Sequence, residues 1–249
     1  MPSLRQETYY AGERLIHQLH HSGTLQRMLH DGGDIFLFET AGGEKVSIHM
    51  IESGIPLYEI RKILNENTRQ GIYTLFMLWC SMMVPNDGQI FKMTDWMQAF
   101  IALNGDRIYA YDIFDSEVYL FQVYFHRQGN SAHYLVEYGL TVRAGHLAYK
   151  DLDLRLSPDD LTWKVAYFGL PKYDAHDVLT GAVALNGLEA AYALLGVDAG
   201  DDRDTVKQAY RLLARRYHPD QNPDPQAHEH MQRLNDAYQR VLAVLDGGQ

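Results

Sequence analysis

The stretch VKQAYRLLARRYHPD, residues 206–220, decides how the C-terminal part of this 249-residue chain folds. Val206, Ala209/Tyr210, Leu213 and Tyr217 recur at helical spacing and make one apolar stripe. Lys207, Arg211 and Arg215 stand at i, i+4 and i+8 and make a basic stripe beside it, with Arg216 close by. Asp202 is placed to cap this helix. Pro219 cannot continue it and biases His218 away from the α region, so the chain turns at His218-Pro219-Asp220. Downstream, Asp224-Pro225 reads as N-cap and first position of a further helix, on which Met231, Leu234, Tyr238, Val241 and Leu245 form the complementary apolar face. Upstream, Asn186 and Glu189 predict a capped short helix that packs Leu188, Tyr192 and Leu195 and stops at Gly196. The pattern predicts an antiparallel helical hairpin with a polar loop at its tip.

In order and spacing, AYALLGV, VKQAYRLLARRYHPDQNPD and LNDAYQRVL resemble the J domain of DnaJ-type cochaperones, from about Leu185 to Leu245. The resemblance implies a partner, a DnaK-type chaperone ATPase whose ATP hydrolysis the module stimulates. It places the docking roles on His218, Pro219, Asp220, Lys207, Tyr210, Arg211 and Asn222, with Arg215 on the same basic stripe. Basic side chains steer encounter with an acidic surface, and a single carboxylate at a rigid loop tip suits a charge-assisted bond to an arginine. The module brings no nucleophile, metal or cofactor of its own. Leu212 and Gln221 stand where the family commonly has basic residues, and Met231 where it commonly has Phe. The family's fourth helix is expected to be lacking. A basic helix face alone is ordinarily a solvated surface; the intact loop beside it favours retained docking.

Composition narrows the rest. With 22 Lys+Arg against 32 Asp+Glu the formal charge is −10, which disfavours a general nucleic-acid binder. The one cysteine, Cys80, excludes an internal disulfide framework and a multi-thiolate zinc site, and fits a reducing, cytoplasmic compartment. The N-terminus lacks the pattern of an export signal, and the longest apolar run, Ile72 to Val84, is too short to span a bilayer and reads as a buried strand.

Residues 1–168 read as one α+β domain with an antiparallel sheet, 169–184 as a linker and 185–249 as the all-α J module. A helix is expected from Gln6 to Leu29, a hairpin from Ile35–Phe38 and Val46–Met50, a helix opened by Pro56 and running through Asn65, and another over Asp95 to Leu103. Arg107–Ile113, Val118–His126 and His133–Tyr138 form an aromatic-rich antiparallel meander that reads as an ordinary core. No family is recognised in this region. His17, His20 and His21 read as a polar stripe rather than metal ligands, and Cys80 as an inert buried thiol. His126, His133 and His146 read as partly buried or hairpin-end residues. Asp34 to Glu39 with Glu44-Lys45 invites comparison with metal-dependent nucleases, but the spacing of acid and lysine does not fit. The leading reading is a non-enzymatic cochaperone whose N-terminal domain binds a protein client or a targeting site, without membrane contact. An enzyme domain with a regulatory J module, and a scaffold with an inactive hairpin, are the alternatives.

Overall fold

A computed structural model describes residues 6–105, 107–114, 117–153, 161–169, 175–182, 185, 187–220 and 225–247. The chain divides into two compact units, Met1–Gly169 and Leu170–Gln249. The first opens with α1 (Gln6–His21), β1 (Leu25–Asp31), β2 (Ile35–Thr40) and β3 (Lys45–Ile51), and α2 (Leu57–Arg69) leads into β4 (Ile72–Trp79). There follow α3 (Cys80–Met83), β5 (Ile90–Lys92), α4 (Asp95–Asn104), β6 (Arg107–Phe114), β7 (Glu117–Arg127), β8 (His133–Thr141), β9 (Leu147–Leu152) and β10 (Trp163–Phe168).

The strands order as β1-β2-β3-β4-β6-β7-β8-β5, and the β9–β10 hairpin joins through β10 to β4. The sheet is mostly antiparallel, as expected for the meander and the β2–β3 hairpin. Its centre is not: β4 runs parallel to β3, β6 and β10. Crossovers through α2, and through α3, β5 and α4, bring the chain back in the same direction, which no hairpin can do. A strand covered on both faces carries a continuous apolar run, and IYTLFMLW is that run. On one face Leu75, Met77 and Trp79 pack with Ala11, Leu15 and Leu19 of α1. On the other, Phe76 meets Phe100 of α4 at 4.9 Å between ring centroids.

Helix α1 lies close on the sheet because Gly12 faces the Phe36 ring, where a Cβ would stand 2.3 Å from Cζ. Thr8 shares a buried hydroxyl hydrogen bond of 2.9 Å with Tyr111. The expected helix to Leu29 is corrected: α1 ends at His21, and Leu25 and Met28 belong to β1. Gly23, at φ 71°, turns the chain with its N–H donating to the His20 carbonyl at 3.1 Å, and pairing with β2 then takes Leu25–Asp31. The predicted strand Ile72 to Val84 likewise stops at Trp79. The buried carboxylate of Asp112 accepts from Ser81 N at 2.8 Å, Ser81 Oγ at 3.1 Å and Trp79 Nε1 at 3.2 Å, which bends the chain into the single turn α3. Pro56 caps α2 rather than opening it, and the helix runs on to Arg69.

Under α2 lies a polar layer. His49 Nε2 stands 3.0 Å from Ser47 Oγ and 3.4 Å from Asn67 Nδ2, and Asn67 also donates to Thr74 Oγ1 at 3.0 Å. Burial pushes the His49 pKa down to about 4.

The second unit contains α5 (Ala175–Leu179), α6 (Gly187–Leu195), α7 (Arg203–Tyr217) and α8 (Ala227–Gly247). The expected linker 169–184 is therefore corrected over α5, whose Ala175, Val178 and Leu179 are buried.

Candidate functional site

Helix α7 starts as its sequence dictates: the Asp202 carboxylate accepts from Thr205 N at 2.7 Å. Val206, Ala209, Leu213 and Tyr217 are buried, as the apolar stripe predicts, and Lys207, Tyr210 and Arg211 are half-buried beside it while Arg215 is exposed. Arg203 donates to both carboxylate oxygens of Asp246, at 2.8 and 3.0 Å, and ties the start of α7 to the end of α8. Both partners are more than half exposed, so the pair sets the antiparallel register more than it adds stability.

Tyr210 has a double role. Its ring stacks on Tyr238 at 4.2 Å and 11°, and its hydroxyl donates to Asn235 Oδ1 at 2.7 Å. One ring face thus belongs to the α7–α8 seam. Burial, followed by the neighbouring Tyr238, holds its pKa above the usual phenol value.

At the tip, His218 takes the extended conformation that Pro219 imposes, φ −65° and ψ 130°. The Asp220 N–H donates to His218 Nδ1 at 3.2 Å, which places the proton of the neutral ring on Nε2. The Asp220 carboxylate is 87% exposed, and its Oδ2 lies 3.7 Å from His218 Nδ1. The structure therefore brings a basic helix face and an exposed carboxylate on a proline-stiffened turn into one unit. Asn222 and Gln221 lie outside the described residues.

Two residues that the sequence reading passed over support this tip and its base. His230 is buried and meets the Tyr217 ring edge-on at 5.7 Å and 88°. The buried face of α8 is Ala227, His230, Leu234, Ala237 and Val241, so Met231, Tyr238 and Leu245 sit half-buried at its margin. The two alanines were the available signal, because they continue the i, i+3, i+4 spacing through His230. Helix α8 begins at Ala227, beyond the expected Pro225 start. On α6, Ala191, Leu194 and Leu195 are buried, whereas the expected Leu188 is exposed and Tyr192 half-buried. Arg233 reaches back from α8 to α5, donating to the carbonyls of Leu179 and, at 2.9 Å, Val178.

Residues 190–243 match the DnaJ domain family model. Within this J domain the chain is 52% identical over 48 residues to Chaperone protein DnaJ of Dictyoglomus thermophilum, a span of 19% of this chain and 12% of that protein. It is 51% identical over 47 residues to Chaperone protein DnaJ of Methanothermobacter thermautotrophicus, again 19% and 12%, and 49% identical over 51 residues to Chaperone protein DnaJ 1 of Aquifex aeolicus, 20% and 14%. The chain thus spans about an eighth of the length of these relatives. No solved structure matches it.

The first unit holds no comparable constellation among the described residues. Tyr109, Tyr111, Tyr119, Phe121 and Phe125 of the meander are buried, and Tyr124, Tyr134 and Tyr138 half-buried, which is the core reading of that aromatic run. His17, His20 and His21 are exposed on α1, and the rings of His17 and His21 stack at 6.4 Å. Among the described residues no three His, Cys, Asp or Glu side chains are grouped to hold a metal ion. His126 pairs with Glu137 at 2.7 Å, His133 is exposed and His146 half-buried. Glu39 binds Arg27 at 2.6 Å, and Glu44 accepts from Thr40 Oγ1 at 2.6 Å, a bond that lowers its pKa. These acids serve the hairpin separately. Burial pushes the Cys80 thiol up to about 12, so it is not a nucleophile at neutral pH. No helix among the described residues is long and apolar enough to cross a membrane.

Proposed function

We propose that the protein is a cytoplasmic, non-enzymatic cochaperone: its J domain recruits a DnaK-type chaperone ATPase and stimulates ATP hydrolysis, while the first unit binds a protein client or a targeting site. The observation that carries the first half is the combination of the family match with an intact His218-Pro219-Asp220 tip at the end of a helix bearing Lys207, Arg211 and Arg215. The basic face guides encounter with an acidic surface of the ATPase. The Asp220 carboxylate, on a turn that proline stiffens, then offers a charge-assisted bond to a basic side chain of that partner. The Tyr210–Tyr238 stack and the Arg203–Asp246 pair hold the two helices at the spacing this face requires. Residue 212, a half-buried leucine, contributes apolar contact where a further charge would have steered. The role of the first unit as the targeting part rests on its size and on the lack of any second function-bearing motif in the J domain.

Single-turnover ATP hydrolysis by a DnaK-type chaperone from the same cell tests this reading. The full chain should accelerate it, and Asp220→Asn or His218→Gln should return the rate to the basal value with the helical circular dichroism signal unchanged. Failure of the wild-type chain to stimulate any such ATPase refutes the proposal and favours a scaffold.

A further inference from the structure

On α7 the apolar stripe and the basic stripe have a border, and Tyr210 stands on it. At about 3.6 residues per turn it falls between the buried Val206, Ala209, Leu213 and Tyr217 on one side and Lys207, Arg211 and Arg215 on the other, about 60° from Lys207. A tyrosine there has two side-chain torsions to fix before its ring can take part in a docking face.

Two residues of α8 fix them. Asn235 and Tyr238 are three positions apart, which puts them on one side of that helix, and both meet the Tyr210 side chain. Tyr238 stacks on the ring at 4.2 Å between centroids and 11° between planes, and Asn235 Oδ1 accepts the phenol proton at 2.7 Å. Stacking by itself leaves a ring free to slide in its own plane. The hydrogen bond at the far end of the ring removes that freedom, because such bonds weaken steeply once stretched or bent. Asn235 is exposed, while Tyr210 and Tyr238 are half-buried. A hydrogen bond between neutral groups at such a site adds only modestly to folding, but this one ends on a residue of the docking face.

We propose that Asn235 is a positioning residue for docking of the DnaK-type ATPase: it holds the Tyr210 phenol in one orientation, at the edge of the basic stripe, before the partner arrives. This rests on the reading of the second unit given above. Helix α8 thereby shapes a face whose charges all come from α7. A side chain ordered in advance spares the complex the cost of immobilising it, which corresponds to about a two- to tenfold gain in affinity.

The test is single-turnover ATP hydrolysis by a DnaK-type chaperone from the same cell at rising concentrations of the full chain, which separates half-saturation from the maximal rate. Asn235→Ala should raise the half-saturating concentration about fivefold and leave the maximal rate unchanged, since the His218-Pro219-Asp220 tip is untouched. The position is exposed and alanine favours a helix, so the thermal unfolding curve should stay close to that of the wild type. Tyr210→Phe keeps the stack, loses the tie to Asn235 and should raise half-saturation at least as much. In the double variant the shift should equal that of Tyr210→Phe alone, because Asn235 acts through the phenol. The fold-change from Asn235→Ala, a neutral-for-neutral replacement, should be the same at about 50 and 300 mM salt. Unchanged half-saturation in Asn235→Ala, a lowered maximal rate, or a fold-change that vanishes with salt overturns the proposal. So does a double variant in which the two effects multiply, to about 25-fold, since Asn235 then meets the partner on its own account. Failure of the wild-type chain to stimulate is a separate outcome, seen before any variant is compared, and removes the docking reading together with this one.

Discussion

Acidification from pH 7 to 4 should destabilise the first unit through His49. The ring is 7% exposed, set between Ser47 Oγ at 3.0 Å and Asn67 Nδ2 at 3.4 Å, with the Phe76 ring 5.4 Å away. Burial favours its neutral form and pushes its pKa to about 4, against about 6.5 in an unfolded chain. The unfolded state therefore binds the proton first. The contribution is fully present above pH 6.5 and is lost as pH falls from there towards 4. At about 1.4 kcal/mol per pH unit the gap amounts to about 3 kcal/mol, a large share of the stability of one domain. Urea unfolding followed by tryptophan fluorescence isolates this unit, because Trp79, Trp96 and Trp163 all lie in it. Wild type and His49→Gln share every carboxylate that titrates in the same range, so their difference reports His49. Between pH 7 and 4 the wild type should lose about 3 kcal/mol more than the variant. Equal losses refute the reasoning. So does a His49 ring resonance that titrates near 6.5 in the folded wild type, a measurement that does not depend on the variant folding.

Two further outcomes follow from single contacts. Arg233→Ala removes both charged donors from the Val178 and Leu179 carbonyls, and should cost the second unit about 2 kcal/mol and speed amide exchange in α5, while exchange in α7 changes little; unaltered exchange in α5 shows that the clamp is dispensable. Cys80, fully buried and with its pKa at about 12, should react with a disulfide reagent only at the rate of unfolding, and stoichiometric reaction within seconds in the native protein contradicts its placement.

What could be read in the sequence was what short-range geometry decides. The apolar stripe of α7, its Asp202 cap, the proline-stiffened His218 turn and the basic stripe are all relations within a few turns of one helix, and periodicity and capping state them completely. The β2–β3 hairpin, α4 and the meander were legible for the same reason, each being bounded by its own turn chemistry. The docking residues themselves came from the family resemblance, which adds roles that spacing alone does not assign. The tertiary structure decided the rest. Leu25–Asp31 has helical-looking spacing but becomes a strand because β2 offers hydrogen-bond partners that a local pattern cannot show. The parallel centre of the sheet, the Asp112 bend after Trp79 and the hydrogen bonds of Tyr109 to Phe168 each depend on groups more than twenty-five residues apart in the chain. On α8, His230 rather than Met231 faces α7, because a helix face is fixed by what it packs against, here the edge-on ring of Tyr217. Local sequence determines which elements form and where they cap. Which strands pair, and which residues at a helix margin are covered, is settled only when distant elements meet.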